Sequence, residues 1–137
     1  MNRLFAILII VVLMNTTTTS YAKSIRSESK RENILEDAVI DLLTQPMYAA
    51  VKDYYGTTYK IGSFCEKVKE VKKLRHSGSW CFEVKIEFVI FTGAHNFLDI
   101  FTVTLKKDWG TEGKWIMQEY NVRKYDPNEK YECRSPA

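Results

Sequence analysis

The feature that most constrains the fold is a strict alternation of apolar and polar positions in residues 80–88. The apolar positions, continued to residue 90, are Trp80, Phe82, Val84, Ile86, Phe88 and Ile90, and the positions between the first five are Cys81, Glu83, Lys85 and Glu87. A period of two residues is that of a β-strand, and one apolar and one polar face are typical of antiparallel sheets. The pattern therefore predicts a sheet with one face to be covered, and Trp80 is expected on the covered face.

Three further strands are predicted around this one. They occupy residues 64–75, 97–106 and 115–125, and short polar or glycine-containing loops separate them. Val68 and Val71 are three residues apart instead of two, which indicates a bulge in the first strand. Sequential strands with short loops predict an antiparallel meander.

The cover for the sheet comes from the residues before the strands. Ser29 and Glu32 match a capping box, and apolar residues recur behind them at helical spacing until Pro46 interrupts the pattern. We expect two helices or one kinked helix over roughly residues 30–55, ended by Gly56. The predicted fold class is α+β, with N-terminal helices packed on a four-stranded antiparallel meander sheet, cystatin-like or nuclear-transport-factor-like in its order of elements.

The first 22 residues have the layout of a secretory signal. Arg3 precedes an apolar run of 11 residues, 4–14, and Ser20 and Ala22 are small residues at positions −3 and −1 of a cleavage site. A membrane-spanning helix needs about 20 apolar residues, so this run is too short to act as an anchor. We expect a secreted protein whose single α+β domain spans residues 23–137, with a loosely held tail from about residue 126.

Charge and motifs narrow the class of function. The expected mature chain has 19 Lys and Arg against 17 Asp and Glu, which does not favour nucleic-acid binding. No motif of a common hydrolase, nucleotide-binding protein or zinc site is present, so we expect no cofactor and no metal. A lysine-rich stretch, residues 67–75, indicates either a solvated edge strand or contact with an anionic wall polymer or lipid surface.

Three cysteines remain after signal removal, and export permits a disulfide. In a meander, Cys65 lies at the end of the sheet from which the tail with Cys133 departs, whereas Cys81 lies about 30 Å away along a continuous strand. The expected pairing is therefore Cys65–Cys133, with Cys81 a free thiol. The alternative is that all three cysteines are unpaired.

Four polar residues are candidates for a ligand pocket. Asp99 is in phase with the apolar positions of its strand, and Gln118 and Tyr120 share a face of the next strand. These three side chains are expected to converge between sheet and helices, with His95 near the rim. In the alternative, Asp99 reaches water at the strand end, and His95 only satisfies the backbone of its glycine-containing turn.

Two segments carry a resemblance to a known family. The helical region ending in Tyr54-Tyr55-Gly56 and the loop Phe91-Thr92-Gly93-Ala94-His95-Asn96, together with the signal, resemble small secreted proteins of Bacillus-type, Gram-positive bacteria. That family carries only a domain-of-unknown-function label. The resemblance covers roughly residues 33–125, and it implies no activity and no catalytic residue.

Three functions are compatible with these observations. The first is a secreted, non-catalytic binding or interaction domain whose partner is a protein or a cell-wall component. The second is a pocket enzyme or small-ligand carrier built on Asp99, Gln118, Tyr120 and His95. The third is a wall-associated protein that uses its lysines and exposed aromatic residues. An open cavity lined by Asp99 and Tyr120 would favour the second.

The signal predicts a secreted product that begins at Lys23, because a signal peptidase cuts after the small residue Ala22. N-terminal sequencing of protein recovered from the culture medium checks this. A membrane-bound product that retains Met1 would contradict it.

Overall fold

The computed structural model describes residues 2–94 and 96–135, with side chains from residue 29 onward. Residues 1–35 and 36–136 form two compact units. The first consists of helix within its described part, and all strands belong to the second. The elements are helix α1, Asn2–Tyr55; strands β1, Ile61–Lys73, β2, Phe82–Thr92, and β3, Asn96–Lys107; a 3-10 turn, Trp109–Thr111; and strand β4, Ile116–Lys124.

Helix α1 continues through Pro46, so a single helix replaces the pair allowed by the sequence pattern. Leu43 on one side of Pro46 and Met47, Ala50 and Val51 on the other are all fully buried against the same sheet. Contacts on both sides of the proline therefore hold the helix together, although the proline removes one backbone hydrogen bond. The expected α+β class is confirmed.

The sheet is an antiparallel meander with the order β1-β2-β3-β4, as predicted. The core lies between its front face and the C-terminal half of α1. The front face contributes Val84, Ile86 and Phe88 from β2 and Phe101, Val103 and Leu105 from β3, all nearly or fully buried. Phe88 and Phe101 face each other in the register and stack at 5.6 Å between ring centroids. Apolar burial of this kind is the main favourable contribution to folding.

The expected burial of Trp80 is wrong. Its side chain is 81% exposed, because β2 begins only at Phe82. The turn before the strand is closed by a 2.8 Å hydrogen bond from the Leu74 amide to the Cys81 carbonyl. Trp80 thus belongs to the turn, where the alternation of a strand does not apply.

A bulge in β1 directs Cys65 to the back face of the sheet. The pairing with β2 shifts between Phe64 and Lys67, and Cys65 has a left-handed φ of 56°. Phe64 and Cys65 consequently both contact residues of the back face, although neighbouring residues of a regular strand face opposite sides. Phe64 stacks on Phe97 at 5.9 Å, and Cys65 packs with Val89 and Ile100. The bulge predicted from the spacing of Val68 and Val71 is confirmed by a second shift, between Val68 and Glu70.

The tail after β4, for which the sequence predicted a loose attachment, crosses this back face and has several contacts with it. Cys133 forms a disulfide with Cys65, with Cα atoms 4.9 Å apart, and Cys81 is a buried free thiol. The Tyr131 hydroxyl donates to Glu87 Oε1 at 3.0 Å. Arg134 then donates to the Glu66 carbonyl at 3.0 Å and pairs with Asp37 of α1. The tail therefore connects β4, β1 and the helix.

Removal of the disulfide should lower the free energy of unfolding by about 2–4 kcal/mol, because the bond constrains a long loop in the unfolded chain. The two cysteines are 68 positions apart. Urea titration of the double variant Cys65→Ser/Cys133→Ser against the oxidised protein measures the effect. Peptide mapping without reductant should show Cys65 linked to Cys133, and a Cys65–Cys81 peptide would contradict the pairing.

Candidate functional site

Asp99 is a buried carboxylate that contacts Tyr55 and an exposed lysine, Lys124, and it does not form the floor of a pocket. Its side chain is 1% exposed, and Lys124, opposite it on β4, places Nζ at 2.9 Å from Oδ1. The Tyr55 hydroxyl donates a hydrogen bond to Oδ2 from the last residue of α1. Burial, and then this hydrogen bond, raise the pKa of Tyr55. Oδ2 thus accepts a hydrogen bond, whereas Oδ1 makes no hydrogen bond and is balanced only by the charge of Lys124.

Tyr120 forms a separate pair. Its hydroxyl donates to Asp53 Oδ2 of α1 at 2.6 Å, and its ring stacks on Phe101 at 6.1 Å. The hydrogen bond to Asp53 is the main cause of its raised pKa. Tyr120 therefore joins β4 to the helix, and its hydroxyl does not contact Asp99.

Gln118 does not share the inward face of Tyr120. Thr104 pairs with Glu119 and Leu105 pairs with Met117, so Gln118 is the extra residue of a bulge, and it is exposed. Met117 takes the core position that an unbroken alternation would assign to Gln118. His95 lies outside the described residues. The structure thus brings Asp99 and Tyr120 into two neighbouring helix–sheet pairs but does not bring Gln118 to them.

A depression lies between α1 and the start of β4, and we refer to it as the edge groove. It has a volume of about 740 Å³ and is open on one side. Its lining is mostly apolar and consists of Leu42, Gln45, Pro46 and Ala49 from α1 and residues 113–117 from the other wall. Leu42 is 73% exposed, and Ile116 is also exposed. Exposed apolar side chains grouped in a concave site are typical of binding surfaces.

The helical wall of the edge groove carries a free backbone acceptor. In an α-helix the amide of residue 46 would donate to the carbonyl of residue 42, but Pro46 has no N–H. The Leu42 carbonyl therefore lacks its helical donor. Leu42 and Pro46 are both lining residues, so this acceptor is located at the groove wall.

The other wall consists of residues 113–115 and of the first two residues of an edge strand, Ile116 and Met117. β4 pairs with β3 on one side only, since it is the last strand in the sheet order. An edge strand presents unpaired N–H and C=O groups along its outer side. The edge groove thus combines apolar side chains with backbone hydrogen-bonding groups on both walls.

A second, smaller depression lies on the back face of the sheet. It has a volume of about 240 Å³ and a polar lining that includes Lys85, Thr102, Thr104, Glu119 and Asn121. Thr104 and Glu119 interact across the strands at 3.4 Å. Among the residues that the structure describes, no group of three His, Cys, Asp or Glu side chains is arranged to hold a metal ion.

The fold and the edge groove define a small α+β domain with one helix on a four-stranded antiparallel sheet and an open site at its edge. The chain belongs to the family described as protein of unknown function (DUF3888), whose model matches residues 35–123. The resemblance to a family that is labelled only as a domain of unknown function is thereby confirmed. No curated protein and no solved structure shows significant similarity to the chain.

Sequence reasoning missed the edge groove, although two signals of it were present. Leu42 and Leu43 are adjacent, so both cannot lie at the centre of one helix face, and only Leu43 is buried. Pro46 is the second signal, because a proline inside a helix leaves a carbonyl free. Which wall would face Leu42 could not be read from the sequence, since it depends on where the helix crosses the sheet.

Replacing Tyr55 by Phe should lower the free energy of unfolding by about 1–3 kcal/mol at neutral pH, because buried Asp99 loses a hydrogen-bond donor. The pKa of Tyr55 is raised in the folded protein above the unfolded value of about 10. The stabilisation is therefore complete below about pH 10 and is lost as the pH rises through the folded pKa. Urea titrations at neutral and strongly alkaline pH measure the difference.

Tyr120→Phe is the matched control for this substitution. Its hydroxyl bonds to an exposed carboxylate, Asp53, so the loss of stability should be clearly smaller than that of Tyr55→Phe. Equal losses in the two variants would contradict the assignment of Asp99 as the buried partner that depends on its donor.

Proposed function

We propose that the protein is an exported, non-catalytic binding domain that takes up an extended peptide segment of a partner protein in the edge groove. The observation that carries the proposal is an apolar groove lined on one side by Leu42, whose carbonyl lacks its helical donor, and on the other by the start of the edge strand β4. Export is supported by the signal layout of residues 1–22. No helix in the described residues is long and apolar enough to cross a membrane.

The chemistry of the walls favours a peptide over other ligands. An extended chain offers N–H and C=O groups at regular spacing, and addition of such a chain to an exposed sheet edge is a common mode of peptide recognition. Its N–H groups can donate hydrogen bonds to the carbonyls of β4 and to the carbonyl of Leu42. Its alternate side chains can then contact Leu42 and Ile116, which gives preference for apolar residues.

A binding role is also favoured by what the polar candidates do. Asp99 is engaged by Tyr55 and Lys124, and Tyr120 is engaged by Asp53. These groups stabilise the helix–sheet contact and are not directed into the edge groove. The alternative of a pocket enzyme or small-ligand carrier built on Asp99 and Tyr120 therefore has weaker support.

Extended apolar peptides should bind the protein, and Leu42→Glu should weaken this binding about tenfold or more, since it places a charge in the apolar contact. Peptides are selected from a random library of about 12 residues, synthesised, and measured by fluorescence anisotropy. Leu35→Glu is the matched control, because Leu35 is also exposed on α1 and does not line the groove. Equal affinities of the two variants, or no selected peptide, would refute the site.

Pro46→Ala tests the role of the free carbonyl separately from folding. Alanine restores the N–H that bonds to the Leu42 carbonyl and removes a helix-breaking residue, so stability should rise by up to about 3 kcal/mol. Peptide affinity should fall in the same variant because the acceptor is then occupied. Opposite changes in stability and affinity exclude unfolding as the cause, whereas unchanged affinity would contradict the use of this acceptor.

A further inference from the structure

Two of the most exposed large side chains lie at the same end of the sheet. Trp80 is 81% exposed and Trp109 is 67% exposed. Trp80 lies in the turn between β1 and β2, and Trp109 lies in the loop between β3 and β4. In a meander these two connections are at one end of the sheet, and we call residues 73–81 and 106–115 the tryptophan end.

Arg75 connects the two loops. It donates to both carboxylate oxygens of Asp108, at 2.7 and 2.9 Å, and its guanidinium lies over the Trp109 ring at 4.4 Å. The pKa of Asp108 lies well below its usual range, mainly because Arg75 donates hydrogen bonds to the carboxylate. Asp108 also caps the 3-10 turn that carries Trp109. The indole of Trp109 is therefore presented from an ordered loop and not from a free segment.

The tryptophan end is also positively charged. It contains five basic side chains, Lys73, Arg75, Lys106, Lys107 and Lys114, and two acidic ones, Asp108 and Glu112. Its net charge of +3 equals that of the whole chain, so the positive and negative charges of the remaining residues cancel. The negative charge of Asp108 is already compensated by ion pairs with Arg75 and with Lys106, whose Nζ lies 3.5 Å from a carboxylate oxygen.

We propose that the tryptophan end binds the surface of an anionic lipid bilayer, with Trp80 and Trp109 placed at the level of the headgroups. Indole rings are favoured at this level because they are apolar with one polar N–H, and nearby Lys and Arg are attracted to anionic headgroups. This surface shares residues 113–115 with the wall of the edge groove, but the inference rests on Trp80, Trp109 and the basic residues and does not depend on peptide binding.

The geometry favours a bilayer over a sugar polymer. A sugar ring stacks on the face of an aromatic ring, and one face of Trp109 is covered by the Arg75 guanidinium. Contact with a bilayer instead uses projecting indoles and adjacent cations together. An anionic sugar polymer is therefore an outcome of the test and not the proposed ligand.

Vesicle binding by the full chain tests the proposal. Vesicles of phosphatidylglycerol and phosphatidylcholine in equal parts are compared with vesicles of phosphatidylcholine alone, by co-sedimentation. The apolar residues 4–14 are present in every variant, so the readout is the difference between variants. We expect Trp80→Ala/Trp109→Ala to reduce binding to the anionic vesicles about tenfold or more, and raised salt to weaken it.

Fluorescence reports directly on the position of the tryptophans in bound protein, because residues 4–14 contain none and all three tryptophans lie at positions 80, 109 and 115. Brominated phosphatidylglycerol should quench the protein with Trp80 and Trp109 and should quench the double variant, which keeps only Trp115, much less. Trp80→Ala alone is the second variant, since Trp109 is stacked with Arg75 and its removal disturbs the loop. Trp80→Ala should lose part of the quenching without a change in thermal unfolding.

Tyr59→Ala is the matched control, because Tyr59 is 75% exposed but precedes β1 and so lies at the opposite end of the sheet. It should bind vesicles as the unchanged protein does. Three results would overturn the proposal: equal binding to neutral and anionic vesicles, unchanged binding of the tryptophan variants, or absence of quenching combined with retention on isolated anionic wall polymer.

Discussion

Packing of α1 onto the front face of the sheet is the contact on which the rest of the structure depends. A sheet with one apolar face is stable only when that face is covered, and the C-terminal half of α1 covers it with four fully buried side chains, Leu43, Met47, Ala50 and Val51. This contact keeps the helix continuous through Pro46. It also brings Tyr55 to Asp99, which gives a buried carboxylate the donor that it requires.

Two of the bulges in the sheet each take one important side chain out of the regular alternation. In β1 a bulge turns Cys65 to the back face, where the tail can reach it and the disulfide with Cys133 forms. In β4 a bulge moves Gln118 outward and brings Met117 into the core. Each bulge adds a single residue, yet the first allows the tail to be attached and the second removes a residue from the predicted polar pocket.

The two proposed surfaces share a physical basis, which is apolar surface that the core contact leaves uncovered. The helix is narrower than the sheet, so its flank and the edge strand β4 enclose the edge groove. The connections between strands project beyond the helix–sheet contact, and there Trp80 and Trp109 are exposed beside the basic residues. One surface suits a ligand with a peptide backbone, and the other suits a flat anionic surface.

The sequence by itself determined the order of elements, the meander and the fold class, because helical and strand periodicity are local properties of the chain. It also indicated Cys65 and Cys133 as partners, since the ends of strands in a meander follow from their order. Only the tertiary structure decided the position of Trp80, the outward turn of Gln118, the hydrogen bonds of Asp99 and Tyr120, and the edge groove. These depend on where strands begin, on one-residue shifts in register and on the path of α1 across the sheet, which are set by contacts between residues distant in the chain.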